Sequence, residues 1–132
     1  MKEVAALINE PDESDPDKLD LSQDTLLLTT EFGRTPFRQG TTGLNHWPQG
    51  YVVAAIGGPF DEDRSGVVGA INVDGNASDY TSPSEFRAAL LLAMGIWPFS
   101  NTAFAVGDVR GAADAREAAT YLREVVLGYP LG

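Results

Sequence analysis

Apolar and polar positions fall into blocks along the 132-residue chain, and the period changes from block to block. "KEVAALI" places Val4, Leu7 and Ile8 at helical spacing and predicts about two turns that stop before Pro11. "DTLLLTT" (24–30) is a continuous apolar run with polar ends, the pattern of a strand covered on both faces. "GYVVAAIGG" (50–58) repeats that pattern between glycines. "GVVGAINVDG" (66–75) predicts a third strand that turns at Asp74-Gly75.

Residues 83–94 carry the clearest helical signature. Ser82 stands at the N-cap, Pro83 at the first helical position, and Glu85 completes an S-x-x-E capping box. Phe86, Ala89, Leu90, Ala93 and Met94 form the predicted apolar stripe, and Gly95 closes the helix. "TAFAV" (102–106) predicts a short strand. A last helix covers 113–127, with Ala115, Ala118, Ala119, Leu122, Val125 and Val126 on its inner side and Gly128 as its stop. Apolar runs alternating with amphipathic helices predict an α/β fold, a small sheet of about three to four strands with flanking helices. The expected organisation is a short helix and acidic loop over 1–24, then a single α/β domain over 25–132.

Composition narrows the function classes. Hydrophobic residues make up 43% of the chain, enough for a real core. The absence of cysteine excludes disulfides and thiolate metal sites. No run of about 18 apolar residues exists to span a membrane. The first ten residues lack a signal-peptide arrangement, so the chain as given is expected in the cytoplasm. The net charge is −10 and unevenly placed, with eight acids against two lysines in the first 24 residues. Without a basic face, nucleic acid is not an expected partner.

Candidate chemistry collects in "TTEFGRTPFRQGTTGLNHWP" (29–48), which holds the only histidine. Glu31 stands where the first strand would end, and His46 arrives just before the next apolar run. A carboxylate and an imidazole can bind Zn²⁺ or a similar divalent metal, or act as an acid/base pair. Arg34 and Arg38 can hold an anionic group through bidentate hydrogen bonds. The structural alternatives are a hydrogen-bonding role for His46, a loop-fixing ion pair between Glu31 and Arg34, and Trp47 packed on a sheet edge. Two donors also fall short of the three protein groups that a catalytic metal site normally needs.

"TTEFGRTP" followed by "NHWP" resembles the carboxyl-terminal half of a bacterial family, domain of unknown function fifteen hundred and one, of the alkaline-phosphatase-like superfamily. "VVAAIGG", "GVVGAINVDG" and "TSPSEFRAALLLAMGI" extend the resemblance over about residues 20–110. The resemblance implies the carboxyl-terminal part of a sulfatase- or phosphodiesterase-like fold. It sets Glu31-Phe32-Gly33 in the place of a metal-binding Asp-His-Gly and His46 in that of a later histidine ligand. Phe32 cannot bind a metal, and Asn45 replaces the aspartate that typically precedes His-Trp-Pro in the family. The superfamily's nucleophile and remaining metal-binding aspartates lie in an amino-terminal half that nothing upstream of residue 24 replaces. Thr35, Thr41 and Thr42 offer a hydroxyl by residue type alone.

Three functions follow as expectations. The first is a sulfatase/phosphatase-like part that is not catalytically competent by itself, with a missing amino-terminal half as its partner. The second is a metal-dependent phosphate- or sulfate-ester hydrolase whose site is completed across a homo-oligomer, with acids such as Asp61 or Asp63 contributed by the second copy. The third is a non-catalytic protein-interaction module. Intact relatives of the resembled family commonly carry an export signal.

Overall fold

The computed structural model describes residues 2–38, 40–41, 43–60, 66–100 and 105–128. The chain divides into two compact units, Met1–Thr30 with Val52–Ser65 and Glu31–Tyr51 with Gly66–Gly132.

In the first unit, α1 (Lys2–Ala5) is shorter than the two turns expected. Four residues cannot hold a helix unaided. The chain instead bridges back on itself: Leu19 N donates to Leu7 O at 2.8 Å and Asn9 N to Leu19 O at 2.9 Å. The acidic loop between them is tied by its own side chains. Asn9 Oδ1 accepts from Asp15 N at 3.0 Å, and Lys18 Nζ meets Glu13 Oε1 at 2.7 Å. β1 (Thr25–Leu28) pairs antiparallel with β4 (Ala54–Gly57), in a register running from Thr25↔Gly57 to Leu28↔Ala54. Leu27 is 41% exposed, so β1 is half-buried, whereas the apolar run predicted cover on both faces.

In the second unit, β2 (Gly33–Arg34) pairs with β3 (His46–Trp47), and β5 (Ala70–Ile71) with β6 (Ala77–Asp79), both antiparallel. The expected turn at Asp74-Gly75 joins β5 to β6, with Asn72 Oδ1 accepting from the amides of Asp74 and Asn76. The mixture of helix and strand matches the α/β reading. Among the described residues, however, the strands pair as three separate two-stranded ladders rather than one sheet of three to four. Glycines at 57, 58 and 69, all with positive φ, interrupt the apolar runs and leave two to four paired residues per strand. Such short strands close local ladders and do not extend into a continuous sheet.

The core of this unit is helical. α2 (Pro83–Ala93) begins with the predicted capping box: Ser82 Oγ accepts from Glu85 N at 3.1 Å, and Glu85 Oε2 accepts from Ser82 N at 2.7 Å. Its buried side is Glu85, Ala88, Ala89 and Leu92, not the predicted Phe86, Leu90, Ala93 and Met94 flanking Ala89. The reason is Glu85, which is 1% exposed. Its Oε1 accepts from Arg110 N at 3.0 Å and its Oε2 from Arg110 Nη2 at 3.2 Å, so the helix is rolled toward that pair. Burial alone would push the Glu85 carboxyl up. The hydrogen bonds from Ser82 and Arg110 outweigh it and hold the group below its ordinary value.

α3 (Ala115–Tyr121) is capped by Asp114, whose Oδ1 accepts from Arg116 N at 2.8 Å and Glu117 N at 2.9 Å. It continues as a π-helical turn over Leu122–Val126. Ala118, Ala119 and Leu122 are buried as expected. The wider turn then adds a residue, with Leu127 N donating to Leu122 O at 3.0 Å. Leu127 therefore continues the buried stripe and Val125 is left 46% exposed, which corrects the predicted inner face. α2 packs against this turn, and the four buried alanines on α2 and α3 leave room for close approach. Of the strand expected at 102–106, residues 102–104 lie outside the described residues; Val106–Asp108 forms a 3₁₀ turn.

The two ladders of this unit meet through their backbones. Ala77 N donates to Gln49 O at 2.8 Å. A β-carbon on Gly33 would collide with the carbonyl oxygen of Gly50, and one on Gly50 would lie 2.9 Å from Ala77 N. Glycine is required at both positions by this approach.

Two outcomes follow. Glu85→Ala removes an acceptor from two backbone amides and a guanidinium, and should lower unfolding free energy by about 3 kcal/mol in a urea titration. Because the folded-state carboxyl lies below its unfolded value, its contribution is complete above about pH 4.3 and is lost as pH falls through the folded value. Urea midpoints of wild type and variant should therefore converge toward low pH. Gly33→Ala should cost about 1–3 kcal/mol through overpacking, whereas Gly107→Ala, with open space and no positive φ, should leave the thermal midpoint nearly unchanged.

Candidate functional site

Within the stretch 29–48 the β2–β3 pair has a packed underside and an exposed outer face. Strand alternation sends Gly33 and Thr35 inward and Arg34 outward. Thr35 is 1% exposed and uses its hydroxyl twice, donating to Phe37 O at 2.9 Å and accepting from Asn45 N at 3.1 Å. Its backbone N also donates to Asn45 O at 3.1 Å, so both sides of the loop are pinned at one residue. Thr35 is thereby a structural hydroxyl. Trp47 is half-buried, and its Nε1 donates to Asn76 Oδ1 at 3.2 Å, which ties β3 to the turn between β5 and β6.

The outer face carries the candidate side chains. Arg34 and His46 are directly paired across the β2–β3 ladder. Residues opposite each other in an antiparallel pair project to the same side. Phe32, two positions before Arg34, stacks on His46 with ring centroids 3.9 Å apart and planes 27° apart. The Arg34 guanidinium lies 5.3 Å from the Phe32 ring centre, and its Nη1 reaches Leu44 O at 3.4 Å. Arg34 and His46 are both exposed. The structure thus groups a guanidinium, an imidazole and a phenyl ring on one open face.

Glu31 and Arg38 are exposed and stand outside the ladder, before and after it. Among the described residues, no hydrogen bond or ion pair links Glu31 to His46 or to Arg34. The predicted acid–imidazole pair and loop-fixing ion pair are therefore not formed there. No group of three His, Asp or Glu side chains able to hold a metal occurs among the described residues. Glu31 and His46 supply two donors and Phe32 none, one short of the three protein groups that a catalytic metal site normally needs. Thr41 is exposed, while Thr42, Asp61 and Asp63 lie outside the described residues.

The participation of Phe32 was not anticipated beyond its inability to bind a metal. Its spacing from Arg34 was the available signal, since positions two apart share a strand face. A shallow groove of about 320 Å³ along α3, lined by residues including Thr120, Tyr121 and Glu124, contains none of these side chains. Among the described residues no helix is long and apolar enough to cross a membrane.

No curated protein and no solved structure matches the chain. A family match, described as protein of unknown function (DUF1501), spans residues 14–125. It takes in both ladders of the second unit, the capped helix α2, and α3 with most of its π turn, beyond the 20–110 over which the resemblance was legible. Covering most of the sequence, it shows that the chain belongs to the DUF1501 family.

Proposed function

We propose that this domain is the anion-facing carboxyl-terminal part of a hydrolase of the alkaline-phosphatase-like type, acting on phosphate or sulfate esters together with residues that this chain does not supply. The observation that carries this reading is the direct cross-strand pairing of Arg34 with His46 on the exposed face of the β2–β3 hairpin. The resemblance of "TTEFGRTP" and "NHWP" to the superfamily's ligand loops supports the same assignment.

In this role Arg34 presents a planar fork of donors to an ester oxyanion, and Arg38 adds a second guanidinium beyond the hairpin. The packed underside, fixed by Thr35 and Gly33, holds the fork in place. Nucleophilic attack requires a hydroxyl activated by a base or a metal. Thr35 does not serve that task, because it is 1% exposed and its hydroxyl hydrogen is already donated to Phe37 O. A metal on Glu31 and His46 would need further donors from outside the described residues.

The reading is tested with the purified 132-residue chain, an aryl phosphate and an aryl sulfate, with and without added zinc. No turnover is expected from the chain alone. Turnover that His46→Ala abolishes would show that the chain carries a complete catalytic site, within one copy or across two.

A further inference from the structure

We infer that Phe32, Arg34 and His46 form an oxyanion site that works without a metal, in which the imidazole donates a hydrogen bond to the anion rather than ligating a cation. The inference rests on the anion-facing reading above and assigns His46 a role opposite in charge to the one expected from the sequence.

Three observations carry it. Arg34 stands directly opposite His46 in the ladder, so a divalent cation held by the imidazole would face a permanent positive charge, while an anion there would meet two donors. The Phe32 ring covers one face of the imidazole at 3.9 Å. Stacking fixes the plane of the ring and leaves its nitrogens at the edge, where even a neutral imidazole offers one N–H. Arg34 is anchored through Nη1 to Leu44 O and lies 5.3 Å from the Phe32 ring centre. Anchoring one of five donors orients the fork and leaves it matched to a tetrahedral or planar oxyanion.

The ligand class is therefore a phosphate, sulfate or carboxylate group, recognised by two donors from paired strands. Phe32 is a positioning residue in this site, acting through the ring that it supports. The titratable groups paired on this face are the Arg34 guanidinium and the His46 imidazole, with the Glu31 carboxylate exposed beside Phe32 in sequence.

The test is a nuclear magnetic resonance titration of ¹⁵N-labelled chain with sodium sulfate in excess chelator, and with sodium chloride at matched ionic strength. Saturable shifts at Arg34 and His46 with sulfate alone are expected. Arg34→Ala and His46→Ala should each weaken binding about tenfold, the scale of one charge-assisted hydrogen bond. Phe32→Ala should weaken it less, and His46→Gln, which retains an N–H, should recover part of the loss. All three side chains lie on the outer face, and unchanged amide spectra elsewhere will verify folding. Binding that His46→Ala leaves intact would overturn the inference while leaving Arg34, and the hydrolase reading, in place. Equal shifts with chloride, or sulfate binding that appears only with stoichiometric zinc, would also overturn it.

Discussion

The buried carboxylate of Glu85 is the constraint around which the second unit is arranged. Removing a carboxylate from water costs several kcal/mol, so a site that tolerates one must supply compensating donors. Here they are the N-cap amide of Ser82, the amide of Arg110 and the Arg110 guanidinium. The same guanidinium also donates to Tyr80 O and lies 4.5 Å above the Tyr80 ring. One carboxylate thus caps α2, sets its roll and fixes the segment leading toward α3. Through Tyr80 it also reaches the end of β6. From β6 the tie continues to the hairpin, because Ala77 N bonds to Gln49 O two residues beyond β3. The outer face of Arg34 and His46 is held to the helical core by a continuous run of hydrogen bonds and backbone.

This arrangement divides the labour within the motif that makes the chain recognisable. Gly33, Thr35 and Trp47 serve packing: the glycine admits a neighbouring carbonyl, the threonine pins the loop, and the indole N–H reaches Asn76. Phe32, Arg34 and His46 face outward. Gly33, Thr35 and Trp47 are therefore scaffold within "TTEFGRTP" and "NHWP", and resemblance in those letters speaks for a shared hairpin before it speaks for shared chemistry.

How much of this was legible in the sequence follows from how local each determinant is. The capping box of α2 and the turn at Asp74-Gly75 are settled by residues within a few positions of one another, and both were readable. The face that α2 buries was not, because it depends on Arg110, 25 residues away, making Glu85 a core residue. The inner face of the last helix was readable up to Leu122 and lost afterwards, since a π turn breaks the 3.6-residue period that the reading assumes. Strand positions were visible as apolar runs, but pairing is a non-local choice, and glycines within the runs cut it to short ladders. At the site, the identities of Arg34 and His46 were legible, and their adjacency was not. It arises from the register Arg34↔His46, which no spacing rule supplies across a twelve-residue separation.

The placement of charge bears on what this face can receive. A chain with net charge −10 would be expected to repel anions, yet residues 32–51 contain no aspartate or glutamate. Within those twenty residues stand Arg34, Arg38 and the only histidine. The densest acidity lies in the first 24 residues, which belong to the other compact unit. Within residues 32–51 the charged side chains are Arg34 and Arg38, and the nearest acid in sequence is Glu31. An acidic chain that keeps carboxylates out of residues 32–51, and pairs a guanidinium with an imidazole across a ladder there, has its charge placed as the proposed oxyanion site requires.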